Sequence, residues 1–230
     1  SHEALVDMPL PVSTKAAWHS VGEQICSVTT WVNKTYSEAG EVRLASADWR
    51  DQPEVDFRLL HDRRDLDRLM AALRRLRALF ETPSMREAVC APFAASFSEK
   101  VRQVGVINRK NAVLTSIMAK LLDGPDWFRR FLMQKFIVEA LPLDQLLADD
   151  DALEEFIRKA AVGVWHASCS CRMGALDDPM AVADSFGNVR GISGLRIADA
   201  SLFPVIPRAN INLTTIMLAE RMADLILSGH

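Results

Sequence analysis

Three short stretches decide how this chain reads: Val164-Trp165-His166-Ala167-Ser168-Cys169-Ser170-Cys171-Arg172-Met173-Gly174, then Gly194-Leu195-Arg196-Ile197-Ala198-Asp199-Ala200-Ser201-Leu202-Phe203-Pro204, then Asn210-Ile211-Asn212-Leu213-Thr214-Thr215-Ile216-Met217. The first places a histidine between an apolar run and small residues, where backbone can approach a ligand. The second reads as a short apolar strand, Leu195 to Asp199, ending in Asp-Ala-Ser. The third opens a helix from Leu213 to Leu227, whose polar residues Glu220, Arg221 and Asp224 form only a narrow stripe. Such a helix is expected to be buried on most sides, against a surface that the rest of the chain need not supply.

Working outward, the segment ahead of His166 predicts strands followed by helices. Residues 1–22 read as an irregular lead-in. Gln24 to Thr35 is rich in β-branched and aromatic residues and predicts a strand. Glu38-Ala39-Gly40 reads as a turn, and the alternation of Glu41 to Ala45 predicts a second strand paired back on the first as a hairpin. Glu54 to Leu59 is a candidate third strand. From Asp62 to Phe80, Leu66, Leu69, Met70, Leu73, Leu76, Leu79 and Phe80 recur at helical spacing. Arg63, Arg64, Arg74, Arg75 and Arg77 fall elsewhere on that helix and read as a solvated face, the other reading being an anion or partner surface. Pro83 ends the helix or starts a short successor. Residues 84–140 read as mostly helical, broken at Gly124-Pro125-Asp126, and Asp149-Asp150-Asp151 puts negative charge at the start of a helix reaching about Ala161. Strands then helices, without alternation, indicate an α+β fold: an antiparallel sheet flanked by helices.

Composition narrows the function. With 230 residues and 49% hydrophobic content, the chain can bury a sizeable core. A net charge of −3 gives no basic face, so nucleic acid is not an expected partner. No apolar run approaches the roughly 20 residues of a membrane span, and no secretory signal opens the sequence. Cys26, Cys90, Cys169 and Cys171 are too few and too scattered for a disulfide framework, which suggests a reducing, cytoplasmic setting. Glycine is scarce, at ten residues, and neither G-x-G-x-x-G nor a P-loop occurs. The chain is therefore either no nucleotide enzyme or the part of one that follows the nucleotide-binding half.

Two polar residues stand out. His166 is a candidate general base, since imidazole is the side chain best matched to proton transfer near neutrality. Asn212 sits where a helix begins. It, or Asn210, caps that helix; if Asn210 does so, the Asn212 amide is free to donate to an alcohol oxygen. The Leu213 and Thr214 amides lie at the positive helix end, where negative charge is stabilised. A rival reading takes His166, Cys169 and Cys171 as zinc ligands, although no nearby pair completes four-coordination. Another takes the chain as a helical interaction domain without catalysis.

The three stretches together resemble the C-terminal segment of the glucose–methanol–choline (GMC) family of FAD-dependent oxidoreductases. In that family a W/Y-H-x-x-G/S-x-C/S-x-M-G run precedes D-x-x-x-x-V-x-G-V-x-G-L-R-V-A-D-A-S-x-x-P, here similar to Asp184 through Pro204, and then N-x-N/H-x-P/T-x-x-M, here Asn210 to Met217. Gly40 to Leu60 is similar to the family's entry into its substrate domain. The resemblance implies a substrate-binding domain over 23–163 and, over 164–228, a catalytic segment whose strand and buried helix complete an FAD-binding domain. The FAD-fingerprint segment would precede residue 1. It implies His166 as base, Asn212 as holder of the alcohol oxygen, Trp165 lining the substrate pocket, and Asp199, Ala200, Leu213 and Thr214 contacting FAD. The substrate would be a small primary alcohol, with hydroxymethylfurfural and aryl-alcohol oxidases as the nearest pattern. The chain alone, without the N-terminal FAD-binding segment as partner, would be inactive.

Overall fold

The computed structural model describes residues 28–37, 40–89, 92–95, 106, 108–138, 141–164 and 166–229. The chain divides into two compact units, one built on Leu69–Ala161 and the other on Trp31–Arg68 with Val162–His230. Helices and a small antiparallel sheet give the α+β class expected.

The sheet differs from expectation in its pairing. β1 (Glu41–Arg43) pairs antiparallel with β2 (Glu54–Asp56), Val42 opposite Val55. The partner of β1 is thus the third candidate strand, not the first. Of the stretch read as the first strand, residues 28–35 carry no strand, and the rest lies outside the described residues, as do Glu38 and Ala39 of the turn. β-propensity alone could not choose among partners, because pairing depends on what lies opposite.

Helix α1 (Arg63–Phe80) starts one residue later than expected. At its first turn the Asp65 carboxylate is almost fully buried. It accepts the Tyr36 amide at 2.9 and 3.0 Å, the Ser37 amide at 3.2 Å and the Arg68 guanidinium at 2.5 Å. A buried carboxylate is tolerated when it is saturated with donors in this way. Arg64 and Arg68 lie over the Tyr36 ring, at 4.1 and 4.7 Å from its centre.

In the helical unit, α2 (Pro83–Ala88) begins on Pro83, whose missing N–H costs nothing there. α3 (Arg109–Leu122) is capped by Asn108, whose side chain accepts the Asn111 amide at 2.8 Å. Gly124-Pro125 then breaks the chain as expected, and Pro125 is the cap residue of α4 (Asp126–Leu132), which runs on into a π-helical turn, Met133–Ile137. α5 (Leu143–Ala148) leads to α6 (Asp150–Ala160), where the Asp149 side chain accepts the Asp151 and Ala152 amides. The arginines of α1 are not simply a solvated face. Arg74 donates to the Leu147 carbonyl at 3.2 Å and pairs with Asp150, while Arg77 donates to Asp144 at 2.7 Å.

In the other unit, helix α7 (Asn212–Leu227) forms as read. Its Leu218, Met222 and Leu225 join Ala183, Leu202, Phe203 and Ile211 in one core, with Cys169, Met173, Ile197 and Ala200 packed against it. That is a single buried stripe. Ile216 and Met217 remain exposed, so within this unit the helix is not buried on most sides. Leu195 to Asp199 is also not a strand: Arg196 makes one isolated antiparallel bridge to Asn188, and the Ile197 amide donates to Gly187. The segment is held by a tight turn. The Asp184 carboxylate accepts the Phe186 and Asn188 amides at 2.8 and 2.9 Å, and Gly187 adopts φ +78°. A Cβ at Gly187 would lie 2.6 Å from the Ile197 carbonyl, so glycine is required there.

Candidate active site

The segment carrying His166 is anchored by a backbone ladder, with Cys169 and Met173 packed against the core beneath it. The amides of Cys169, Cys171 and Met173 donate to the carbonyls of Ala200, Ser201 and Leu202 at 3.1, 3.0 and 2.9 Å. This ladder ties the run after His166 to a 3-10 turn, Ala200–Leu202, which Asp199 caps by accepting the Ser201 amide at 2.8 Å. Cys169 takes φ +66°, an uncommon conformation for a side-chain-bearing residue. The turn and α7 meet His166 around a hollow of about 450 Å³, lined by His166, Ala167, Ser170, Asp199, Ala200, Ser201, Ile211, Asn212 and Thr215.

The sequence-predicted residues distribute as follows. His166, Asp199, Ala200 and Asn212 all line this hollow. Leu213 and Thr214 follow in the first turn of α7, where the side chain completing the lining is Thr215, and Leu213 is 77% exposed. The Thr215 amide is the first to donate back within the helix, to Ile211, so the Leu213 and Thr214 amides precede the intrahelical ladder. Trp165 lies outside the described residues.

Asn210 is the residue that sequence reasoning treated only as a possible cap. Its side-chain oxygen accepts the Asn212 amide at 3.0 Å, and its side-chain nitrogen lies 3.3 Å from His166 Nε2. The side-chain amide that meets His166 is thus Asn210, while Asn212, expected to hold the alcohol oxygen, lines the same hollow. The signal was present in Asn210-Ile211-Asn212: an asparagine two positions ahead of an unpaired helix-start amide is a natural Asx turn.

Both cysteines near the site are free thiols. Cys169 contacts the Ser168 hydroxyl at 3.7 Å, and burial pushes its thiol up. A thiol so shifted is less often the thiolate a metal or nucleophile requires. Among the described residues, no three His, Cys, Asp or Glu side chains converge as a metal site needs.

Chemically the hollow offers an imidazole, side-chain amides, hydroxyls, and helix-start amides at a positive dipole end. Small side chains at Ala167 and Ala200 leave backbone approachable.

Comparison with known proteins gives this geometry a context. The model of the family described as GMC oxidoreductase matches residues 35–219. A 5-(hydroxymethyl)furfural oxidase of Methylovorus sp. (strain MP688) is 39% identical over 204 residues, covering 89% of this chain and 32% of that protein. An oxygen-dependent choline dehydrogenase of Vibrio vulnificus (strain YJ016) is 47% identical over 95 residues, 41% of this chain and 17% of that protein. Among solved structures, a formate oxidase of Aspergillus oryzae superimposes with a TM-score of 0.56 at 21% identity, over 85% of this chain and 26% of that one. A fungal aryl-alcohol oxidase gives 0.53 at 24% identity, over 82% and 23%. The chain spans about a third or less of the length of the curated relatives it matches.

Proposed function

This chain belongs to the GMC oxidoreductase family, and from that membership we propose that it carries the substrate-facing side of an FAD-dependent alcohol oxidoreductase, with His166 as the proton acceptor. The hollow's lining fits a flavin edge. Helix-start amides suit the acceptor atoms and negative charge of its pyrimidine ring, and the small side chains of Ala167 and Ala200 admit a flat ring. Asp199, Ala200 and the Leu213 and Thr214 amides are the groups we assign to holding it. Bound FAD would supply the acceptor for the hydride that leaves the alcohol carbon.

The chain's own residues do the remaining work. His166 takes the hydroxyl proton as the carbon–hydrogen bond breaks. A side-chain amide donates to the alcohol oxygen, holding the carbon in line. Asn212 and Asn210 are the two amides available, and contact with His166 favours Asn210. An alcohol oxygen entering between the Asn210 nitrogen and His166 Nε2 accepts from one and donates to the other. It replaces one long hydrogen bond with two. Trp165 is assigned to the substrate pocket beside His166. The substrate class we propose is a primary aryl or furfuryl alcohol, supported by the match to the furfural oxidase along most of this chain. The free thiols fit a reducing, cytoplasmic setting.

The observation that carries the reading is the 3.3 Å contact between His166 and Asn210 beside the hollow at the start of α7. Its test is stopped-flow flavin reduction in the complete enzyme. His166→Ala is expected to slow reduction by roughly 100-fold to 10,000-fold, while Cys169→Ser and Cys171→Ser stay near wild type. Abolished turnover in the cysteine variants with a mild His166→Ala would overturn it in favour of metal or thiol chemistry.

A further inference from the structure

The Asn210 side chain is fixed from two directions. The Asn212 peptide N–H, 3.0 Å from it, can only donate, so the amide oxygen must face the helix. The NH2 group must then face the other way, where it lies 3.3 Å from His166 Nε2 across 44 residues of sequence. An NH2 group has no lone pair to offer, so a protonated Nε2 would meet it donor against donor. Only a ring with its lone pair on Nε2 satisfies the contact.

We propose that Asn210 is a positioning residue that holds His166 in the tautomer carrying its proton on Nδ1, with the Nε2 lone pair turned to Asn210. This is the opposite of the form that a free imidazole side chain prefers in water. A single backbone amide at the start of α7 thereby sets the protonation pattern of a distant ring. Its meaning for catalysis rests on His166 being the base: the nitrogen that meets the alcohol is already vacant, with no prior proton shift.

The test is long-range 1H–15N correlation on the 230-residue chain with 15N-labelled histidine, on the alkaline side of the imidazole titration. The His166 signals are assigned by their loss in His166→Gln. The expected result is a pyrrole-type Nδ1 and a pyridine-type Nε2. The reverse pattern, or averaged shifts from exchanging tautomers, overturns the inference. Asn210→Asp keeps an acceptor for the Asn212 amide but replaces the NH2 with an acceptor, so His166 should switch to the Nε2–H form. A ring that keeps its proton on Nδ1 in that variant would show that another group sets the tautomer. These spectra do not depend on the base assignment. A mild His166→Ala in the complete enzyme would defeat the base while leaving them unchanged, and a wrong tautomer would leave the rate effects intact.

Discussion

Asn210 and Asn212 hold different things, and paired substitutions separate them. Asn210→Ala removes both the contact to His166 and the acceptor for the helix-start amide. It is expected to slow flavin reduction in the complete enzyme by about 100-fold and to cost about 1 kcal/mol of stability. Asn212→Ala leaves that acceptor in place, so any loss of rate should come with an unchanged melting temperature. Asn212→Asp should also keep the melting temperature, yet slow reduction at least as much as alanine, because it sets negative charge beside a forming alkoxide. A stable Asn212→Asp with near-normal reduction would remove Asn212 from the chemistry. Elsewhere, Asp65→Ala strands the Tyr36 and Ser37 amides. The expected loss is about 1–3 kcal/mol per amide left unpaired, read by chemical denaturation. The position of His166 at the hollow was legible from sequence, because a histidine between an apolar run and small residues marks an approachable backbone. The choice between Asn210 and Asn212 was not. Residues two apart at a helix start reach opposite sides depending on the backbone between them, and Ile211 takes helical angles that turn Asn210 back onto the helix.

Helix α7 shows what an element's burial can tell. Leu218→Ala or Met222→Ala should cost about 2–5 kcal/mol, the usual range for emptying a packed site. Met217→Ala, on the exposed side, should change the melting temperature little. Equal losses at Met217 and Met222 would mean that a further surface covers the helix in solution. Among the helices, α1, α6 and α7 were read to within about a residue, because apolar spacing and capping are local signals. The pairing of β1 with β2 and the absence of a strand at Leu195–Asp199 were not local. They depend on which segment lies opposite and on the Gly187 turn. The partners of Arg74 and Arg77 were not legible for the same reason, since they lie 67 to 76 residues away. The Arg77 guanidinium holds the Asp144 carboxyl below its ordinary value. A depressed carboxyl contributes stability above its unfolded pKa of about 4 and loses it as pH falls through the folded value. The melting temperature of Arg77→Gln should therefore fall less than wild type as the solution is acidified below that point. Parallel acid curves would show that the pair contributes nothing.

Taken as a molecule, the 230 residues hold a histidine beside a helix start but no phosphate-cradling loop of the G-x-G-x-x-G kind. By themselves they should retain little FAD and oxidise no alcohol, since the pyrophosphate finds no glycine-rich turn to receive it. Chain that purifies yellow, or that turns over a furfuryl alcohol with added FAD, would contradict this. Among the described residues, no helix is long and apolar enough to cross a membrane. The ladder from Cys169, Cys171 and Met173 to Ala200, Ser201 and Leu202 is made entirely of peptide groups. It holds the run after His166 without using any side chain of that run. Ser170, which lines the hollow, can thus be exchanged by mutation while the ladder stays in place. The shape of the hollow's floor is set by peptide groups and its chemistry by side chains, so a change of side chain there alters what the hollow presents without redrawing its outline.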